Sequence, residues 1–316
     1  MNSTHKVEVV PVHLEKHPNA DTLSRVKIWG YQALVRTSDW TEGELGAYIP
    51  PDSIVDSTRP EFAFCAGHER IRVKRLRGEI SMGLLVKAPP GSAVGDDVAE
   101  LLGVKHYDPV LNSKSGEAAS PPGGWRPVYD VESARRYSHL FVPGEPLWVT
   151  EKIHGANARF CFHDGAMHAG SRTEWKRTDE TVLWWKALAA HPEVEAFCRA
   201  NPDCTVYGEV YGPVQDLKYG RSAPGVVVFD ILRGPAWMDP GAARIFAPYL
   251  PWVPMIPGIT FDTFDELAKL AEGPSMMPGA DHVREGVVVK PIEERYDQTI
   301  GRVCLKIVGN GYLERA

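Results

Sequence analysis

Glu151-Lys152-Ile153-His154-Gly155-Ala156-Asn157 is the stretch on which the reading of this chain turns. A β-like run from Pro146 to Lys152 ends on the lysine, and a glycine three residues later lets the backbone approach a ligand closely. A second β-like run, Ala158 to Phe162, follows, so the two read as a hairpin pair, with a later turn at His163, Asp164 and Gly165. Taken by itself, a lysine at a strand end is ordinarily a solvated charge.

Downstream, polar residues recur beside apolar runs in a fixed order: Ser171-Arg172, Tyr207-Gly208-Glu209, Val228-Phe229-Asp230-Ile231, Glu285-Gly286-Val287-Val288-Val289-Lys290 and Leu305-Lys306. Thr205 to Tyr211, Val226 to Leu232, Glu285 to Lys290 and Val303 to Val308 read as strands. Thr178 to Ala190 and Val194 to Ala200 read as helices parted near Pro192. Thr263 and Glu266 have capping-box spacing ahead of Leu267, Leu270 and Ala271, which predicts another helix. This mixture predicts an α+β domain over 121–316, built on antiparallel sheets with flanking helices.

Upstream, the chain turns small and polar through Asn112, Ser113, Lys114, Ser115, Gly116 and Glu117, then Ser120, Pro121, Pro122, Gly123 and Gly124. Such a composition cannot pack a core and marks the junction, giving a first domain over 1–120. Within it, short β-like runs separated by turn residues (Val7 to Val10, Ser24 to Ile28, Gln32 to Val35, Ala47 to Ile49, Arg70 to Val73, Met82 to Val86) predict a small barrel. Strand alternation in Glu69-Arg70-Ile71-Arg72-Val73-Lys74 would put Arg70, Arg72 and Lys74 on one face and Ile71 and Val73 inside. With Arg75 and Arg77 this forms a phosphate-tracking stripe; the competing reading is a solvated basic edge.

The 316 residues carry a net charge of −6, which argues against a protein that coats nucleic acid non-specifically. No apolar stretch approaches the roughly 20 residues of a membrane helix. Met1 to Lys6 lacks the apolar segment of a signal peptide, so the expectation is a cytoplasmic protein without membrane association. Cys65, Cys161, Cys198, Cys204 and Cys304 are odd in number and show no CxxC spacing, which predicts reduced, mostly buried thiols rather than disulfides or a zinc site.

The order of motifs from Trp148 onward resembles that of the covalent nucleotidyltransferases, the superfamily of polynucleotide ligases and mRNA capping enzymes. Lys-x-His-Gly is similar to the RNA ligases, whereas DNA ligases and capping enzymes usually carry Asp in place of His154. The resemblance implies that Lys152 takes AMP from ATP, with Mg²⁺ or Mn²⁺ as the metal, and that AMP then activates an RNA 5′-phosphate. It assigns Lys290 and Lys306 to the α-phosphate, Phe229 to stacking on adenine, and Glu209 to the ribose hydroxyl. Arg172 would contact the nucleotide sugar or the incoming strand end. Glu285, with Glu209, would bind metal, since hard cations prefer oxygen ligands. Glu151, His154, Gly155 and Asn157 would complete the nucleotide site, Glu151 as a candidate for adenine recognition and Asn157 for orienting the RNA end.

The chemistry sets its own requirement. At its ordinary pKa only about one lysine in a few thousand is neutral at pH 7. Cations, a metal or partial desolvation must therefore disfavour the ammonium form. One departure from the family pattern is that many relatives carry Lys-x-Lys in the last motif, where this chain has Cys304 and Lys306. Only Ile307 to Ala316 follow, so an accessory domain is expected on the N-terminal side.

There, His17-Pro18-Asn19-Ala20-Asp21-Thr22-Leu23 and Arg77-Gly78-Glu79-Ile80-Ser81-Met82-Gly83-Leu84-Leu85 resemble the tRNA-binding OB domains of some aminoacyl-tRNA synthetases. An N-terminal OB-fold barrel joined to this kind of transferase domain looks like a bacterial nick-sealing RNA ligase. The resemblance implies joining of 3′-hydroxyl and 5′-phosphate RNA ends, with nicked duplexes or RNA ends as partner and no protein partner inferred. The competing readings are a GTP-dependent capping guanylyltransferase, a DNA ligase, and a non-catalytic RNA-binding protein with a decayed transferase domain.

Overall fold

The computed structural model describes residues 5–107 and 116–315; Met1 to Thr4 and the linker residues Asn112 to Ser115 lie outside the described residues. The chain divides into two compact units, 1–111 and 112–316.

In the first unit, alternating apolar residues curl short strands around a shared interior. Glu8–Pro11, Leu45–Ile49 and Leu84–Lys87 form one antiparallel sheet, and Glu15–Lys16, Leu23–Ile28 and Tyr31–Arg36 another. Val26, Ile28, Ala33, Val35, Tyr48 and Leu85 fill one part of the core, and Val7, Val9, Ala47, Ile49, Phe62 and Val86 the other. The last strand begins at Leu84 rather than Met82 because Gly83 has φ +93°. A side chain at Gly83 would also meet the Ile49 carbonyl at 2.5 Å.

The expected strand Arg70 to Val73 does not form. Arg70 makes only an isolated bridge to Ile54, Ile71 exchanges backbone hydrogen bonds with Asp52 and Ser53, and the regular strand starts at Lys74–Leu76, paired with Glu79–Ser81. Burial of Ile71 among the barrel residues ties this segment down as a loop, overriding its strand-like alternation.

The second unit holds two sheets. The seven-stranded sheet is antiparallel throughout, in the order Ala118–Ala119, Trp175–Lys176, Ala166–Gly170, Ala156–His163, Cys204–Tyr211, Gly225–Arg233, Ala236–Trp237. The five-stranded sheet runs Glu132–Ser133, Leu305–Val308, Gly286–Pro291, Pro146–Lys152, Met255–Thr260, and its single parallel pair is Glu132–Ser133 with Leu305–Val308.

Pro146–Lys152 and Ala156–His163 are therefore not a hairpin. They belong to different sheets, and Ile153 to Gly155 carry the chain across. The real hairpin is the next one, Ala156–His163 with Ala166–Gly170, whose two turn residues Asp164 and Gly165 both have positive φ, as a tight hairpin turn requires.

Helices Leu183–Ala189 and Pro192–Ala200 bury Trp184, Leu188, Val194 and Phe197 against Phe160, Val206 and Val226 of the seven-stranded sheet. The first is shorter than expected: Asp179 accepts hydrogen bonds from the backbone and hydroxyl of Thr181, an Asx turn that competes with helix start. Helix Phe264–Lys269 begins as its capping box predicts, with the Thr263 hydroxyl accepting from the Glu266 amide. All five cysteines are buried free thiols. Among the described residues no helix is long and apolar enough to cross a membrane.

Candidate active site

Strand parity decides which residues reach the cleft. Leu147 and Val149 face a core shared with Val287, Val289, Leu305 and Ile307, so Trp148, Thr150 and Lys152 project from the opposite side of the five-stranded sheet. Lys152 lies opposite Gly286 and Thr150 opposite Val288, which lies opposite Lys306. Lys306 is thus on the nucleophile's face, one row along. Gly286 leaves that face open at Lys152; a Cβ there would lie 2.0 Å from the Ile307 carbonyl oxygen.

The Lys152 ammonium donates to Glu285 Oε1 at 2.6 Å, with the lysine side chain 25% and the glutamate 10% exposed. Burial, the largest single influence, pushes the Glu285 carboxyl up, but Lys152 and His154 together hold it below its ordinary value. Its second oxygen, Oε2, is buried without a hydrogen-bond partner among the described residues and lies 3.6 Å from His154 Nδ1.

The crossover fixes His154 and Gly155. A Cβ on Gly155 would sit 2.2 Å from the Val210 carbonyl oxygen, so this position takes only glycine without displacement of the neighbouring strand. The Gln215 amide donates to the Gly155 carbonyl, and the His154 backbone amide donates to the Tyr219 hydroxyl at 2.7 Å.

From the seven-stranded sheet, Asn157 and Glu209 lie opposite one another. The Asn157 Oδ1 is buried with no hydrogen-bond partner among the described residues. Glu209 keeps part of its surface exposed, but protein crowds its carboxyl; this desolvation is the main cause of a pKa pushed up to about 8, with Lys152 opposing it and Glu285 adding to it. Phe229 is half-buried, packs on Tyr129 with ring centres 4.5 Å apart, and forms the partly exposed apolar wall in front of a buried cluster of Ile153, Tyr211, Leu217, Tyr219, Val227 and Met277. Such a wall suits a flat base.

Three other expected residues are engaged in contacts of their own. Glu151 points away from the cleft face and accepts from Ser275 Oγ at 2.5 Å and the Met276 amide at 2.6 Å, so both of its oxygens hold the 275–277 loop. Arg172 is exposed and pairs with Asp130 at 2.9 Å. Lys290 lies opposite Trp148, four residues along the strand from Lys152 or roughly 13 Å.

The Lys290 ammonium is 2% exposed and donates to Asp230 Oδ2 at 2.6 Å. Asp230 also receives Arg302 Nη1 at 2.9 Å and the Tyr129 hydroxyl, and Arg302 pairs with Glu294. Sequence reasoning missed Arg302, Tyr129 and Asp216; of this ionic cluster only Lys290 and Asp230, next to Phe229, stood inside quoted motifs. A cation two residues before Cys304 was the available signal that Arg302 supplies charge near the place where relatives carry a second lysine.

Among the described residues no three ligating side chains cluster as a ready-made metal site. The orphaned Glu285 Oε2 beside the Glu209 carboxyl nevertheless fits a hard cation that takes one or two carboxylates and completes its shell with waters and substrate phosphates. With the Glu209 carboxyl raised to about 8, Mg²⁺ binding at pH 7 should displace a proton from it. Calorimetric titration at pH 7 in two buffers of different ionisation enthalpy should give different apparent heats; identical heats would rule out Glu209 as the displaced acid.

A lysine amine held by a carboxylate, set between two sheets beside an apolar wall, defines the class: a covalent nucleotidyltransferase domain, here preceded by an OB barrel. A family model for RNA ligase matches residues 145–308, and one for an OB-fold domain matches residues 5–88. The chain belongs to the RNA ligase family.

Solved structures of Naegleria gruberi RNA ligase share the fold. A lysine-to-alanine mutant with ATP and Mn is 20% identical with TM-score 0.84 over 98% of both chains. A glutamate-to-alanine mutant with AMP and Mn is 20% identical with TM-score 0.84 over 99% of both. The enzyme with PPi is 20% identical with TM-score 0.81 over 99% of both. No curated protein sequence matches the chain.

Proposed function

We propose that this RNA ligase is ATP-dependent and seals 3′-hydroxyl/5′-phosphate breaks in duplexes through lysyl-AMP on Lys152. The observation that carries the reading is the Lys152–Glu285 contact: an amine reaching the cleft, aimed by a buried carboxylate and facing the Phe229 wall. The Naegleria enzymes were solved with ATP, with AMP and with PPi, which supports the same donor here.

Lys152 Nζ attacks the α-phosphorus and pyrophosphate leaves. The RNA 5′-phosphate then attacks the adenylyl phosphorus and releases the amine. Finally the 3′-hydroxyl attacks the activated 5′-phosphate and AMP departs. Glu285 aims the amine, Phe229 stacks on adenine, and Glu209 and Asn157 orient the sugar and the RNA end. Lys306, on the nucleophile's face, balances phosphate charge. A divalent cation held by Glu285 and Glu209 would supply positive charge that disfavours the ammonium form of Lys152 and stabilises the phosphate.

Incubation with α-labelled ATP or GTP names the donor: label surviving denaturation is expected from ATP alone. Nicked duplexes with RNA or DNA on the hydroxyl side then test the sealing preference, and equal sealing of all-DNA nicks would overturn the RNA reading. RNA is distinguished by its 2′-hydroxyl and A-form shape.

Arg72, Lys74, Arg75 and Arg77 are exposed on and around the Lys74–Ser81 hairpin and constitute the proposed RNA-binding patch. Arg70 stands apart, held by Asp52 at 2.6 Å with its guanidinium stacked 3.8 Å from the centre of the Tyr107 ring. Neutralising Arg72, Lys74 and Arg75 together should reduce the salt slope of RNA binding by about 2–3 while self-adenylylation persists. An unchanged slope would remove the patch from the interface.

A further inference from the structure

Tyr219 is 1% exposed, yet its backbone sits at φ +54°, a region that a bulky side chain seldom adopts. Such strain persists only where the surrounding structure over-determines it. Gly220 follows at φ +64°, and a Cβ there would lie 2.3 Å from the Gly279 carbonyl oxygen. The Tyr219 amide donates to His282 Nε2 at 3.3 Å, and the two rings meet edge-on with centres 4.6 Å apart. Loop 212–224 is thereby seated against loop 273–284.

These two loops grip the chain on either side of Lys152. Glu151, just before it, holds Ser275 and Met276. Just beyond Ile153, the His154 amide has the Tyr219 hydroxyl as its acceptor at 2.7 Å. Gln215 of the same loop donates to the Gly155 carbonyl, and Asp216 Oδ1 lies 2.5 Å from His154 Nε2.

We infer that Tyr219 is a positioning residue whose hydroxyl fixes the step out of the nucleophile strand and so aims the Lys152 amine; the aim matters through the ligase reading above. Strand pairing cannot do this, because the ladder of the first sheet ends at Lys152 and that of the second begins at Ala156. Between them, a backbone amide that lost its acceptor would shift to find another. In-line attack is sensitive to such shifts, since a misplacement of about 1 Å can cost on the order of a hundredfold in rate. Tyr219→Phe keeps the ring in its packing and removes this one acceptor.

The experiment compares Tyr219→Phe with the wild type, full chain in both cases. Exchange of the His154 amide with solvent, followed by NMR, should quicken about tenfold or more. At saturating ATP, capture of α-label by Lys152 should slow about tenfold to a hundredfold, with half-saturation by ATP changed less than about twofold. Sealing of a nick whose 5′-phosphate already carries AMP does not use the amine, and should stay within about twofold of wild type.

Unchanged amide exchange or unchanged capture would overturn the proposal. So would a loss carried by ATP half-saturation, or one shared equally by capture and sealing, which is what a damaged fold produces. Failure of the ligase reading would show separately: wild-type protein would take no label from ATP, while exchange of the His154 amide would still respond to Tyr219→Phe.

Discussion

Lys152→Ala protein, incubated with α-labelled ATP and a divalent cation, is expected to hold no label after denaturation, a loss of at least about a thousandfold. The amine is the atom proposed to form the bond, and neither of the other two motif lysines is placed to replace it. Lys290 is buried on Asp230, and Lys306 projects from a strand that pairs with Gly286–Pro291 rather than with the nucleophile strand. Lys152→Arg sharpens the test: it preserves a cation for Glu285 but offers a guanidinium that stays protonated and is no nucleophile. Both variants should still join a nick whose 5′-phosphate already carries AMP, because the last step uses the 3′-hydroxyl as nucleophile. Label retained by either variant would place the covalent site elsewhere.

Asp230→Ala is expected to give the largest loss of stability, about 3–5 kcal/mol, by leaving the buried Lys290 and Arg302 cations without their shared carboxylate. For a unit of this size that corresponds to a fall in melting temperature of about 6–20 °C, followed by the near-ultraviolet signal of Tyr129, Tyr207 and Trp237, which pack beside the cluster. Replacing the acid and both cations together with apolar residues should cost much less. If the single substitution leaves stability unchanged, the cluster is not a coupled unit.

The same group gives a signed pH dependence. Burial, the largest influence, raises the Asp230 pKa, but Arg302 and Lys290 outweigh it and hold the carboxyl below its ordinary value. Its contribution is therefore fully present above the unfolded value of about 3.9 and is lost as pH falls through the lower folded value. Urea midpoints measured across that acid range should drop more steeply for the wild type than for Asp230→Asn.

The order of motifs was enough to read the class of the second unit, and alternation located most strands to within a residue or two. What the sequence concealed was pairing. Pro146 to Lys152 and Ala158 to Phe162 looked like the two arms of one hairpin because only five residues separate them, yet strand spacing carries no record of which sheet a strand joins. Arg70 to Val73 shows the converse: a correct alternation on a segment whose hydrogen bonds go to Asp52 and Ser53 instead of a neighbouring strand.

Among the proposed site residues, Lys152, Glu209, Phe229 and Glu285 were legible through the order of motifs on which the family resemblance rests. The contacts of Asp216 and Tyr312 with the His154 ring were not, since they join distant parts of the chain. Lys290 was legible as a cation, but its partner Asp230 was recoverable only from the fold.

Because Ile153 to Gly155 step from one layer to the other, the amine rides on one β-layer while the wall for the base and the Glu209 carboxyl ride on its neighbour. On the proposed function, the reacting distance depends on the spacing between layers as well as on the lysine rotamer. Any rocking of one layer against the other retunes the gap between phosphorus and nitrogen, so the same three-residue step that builds the cleft also acts as the spacer that calibrates it.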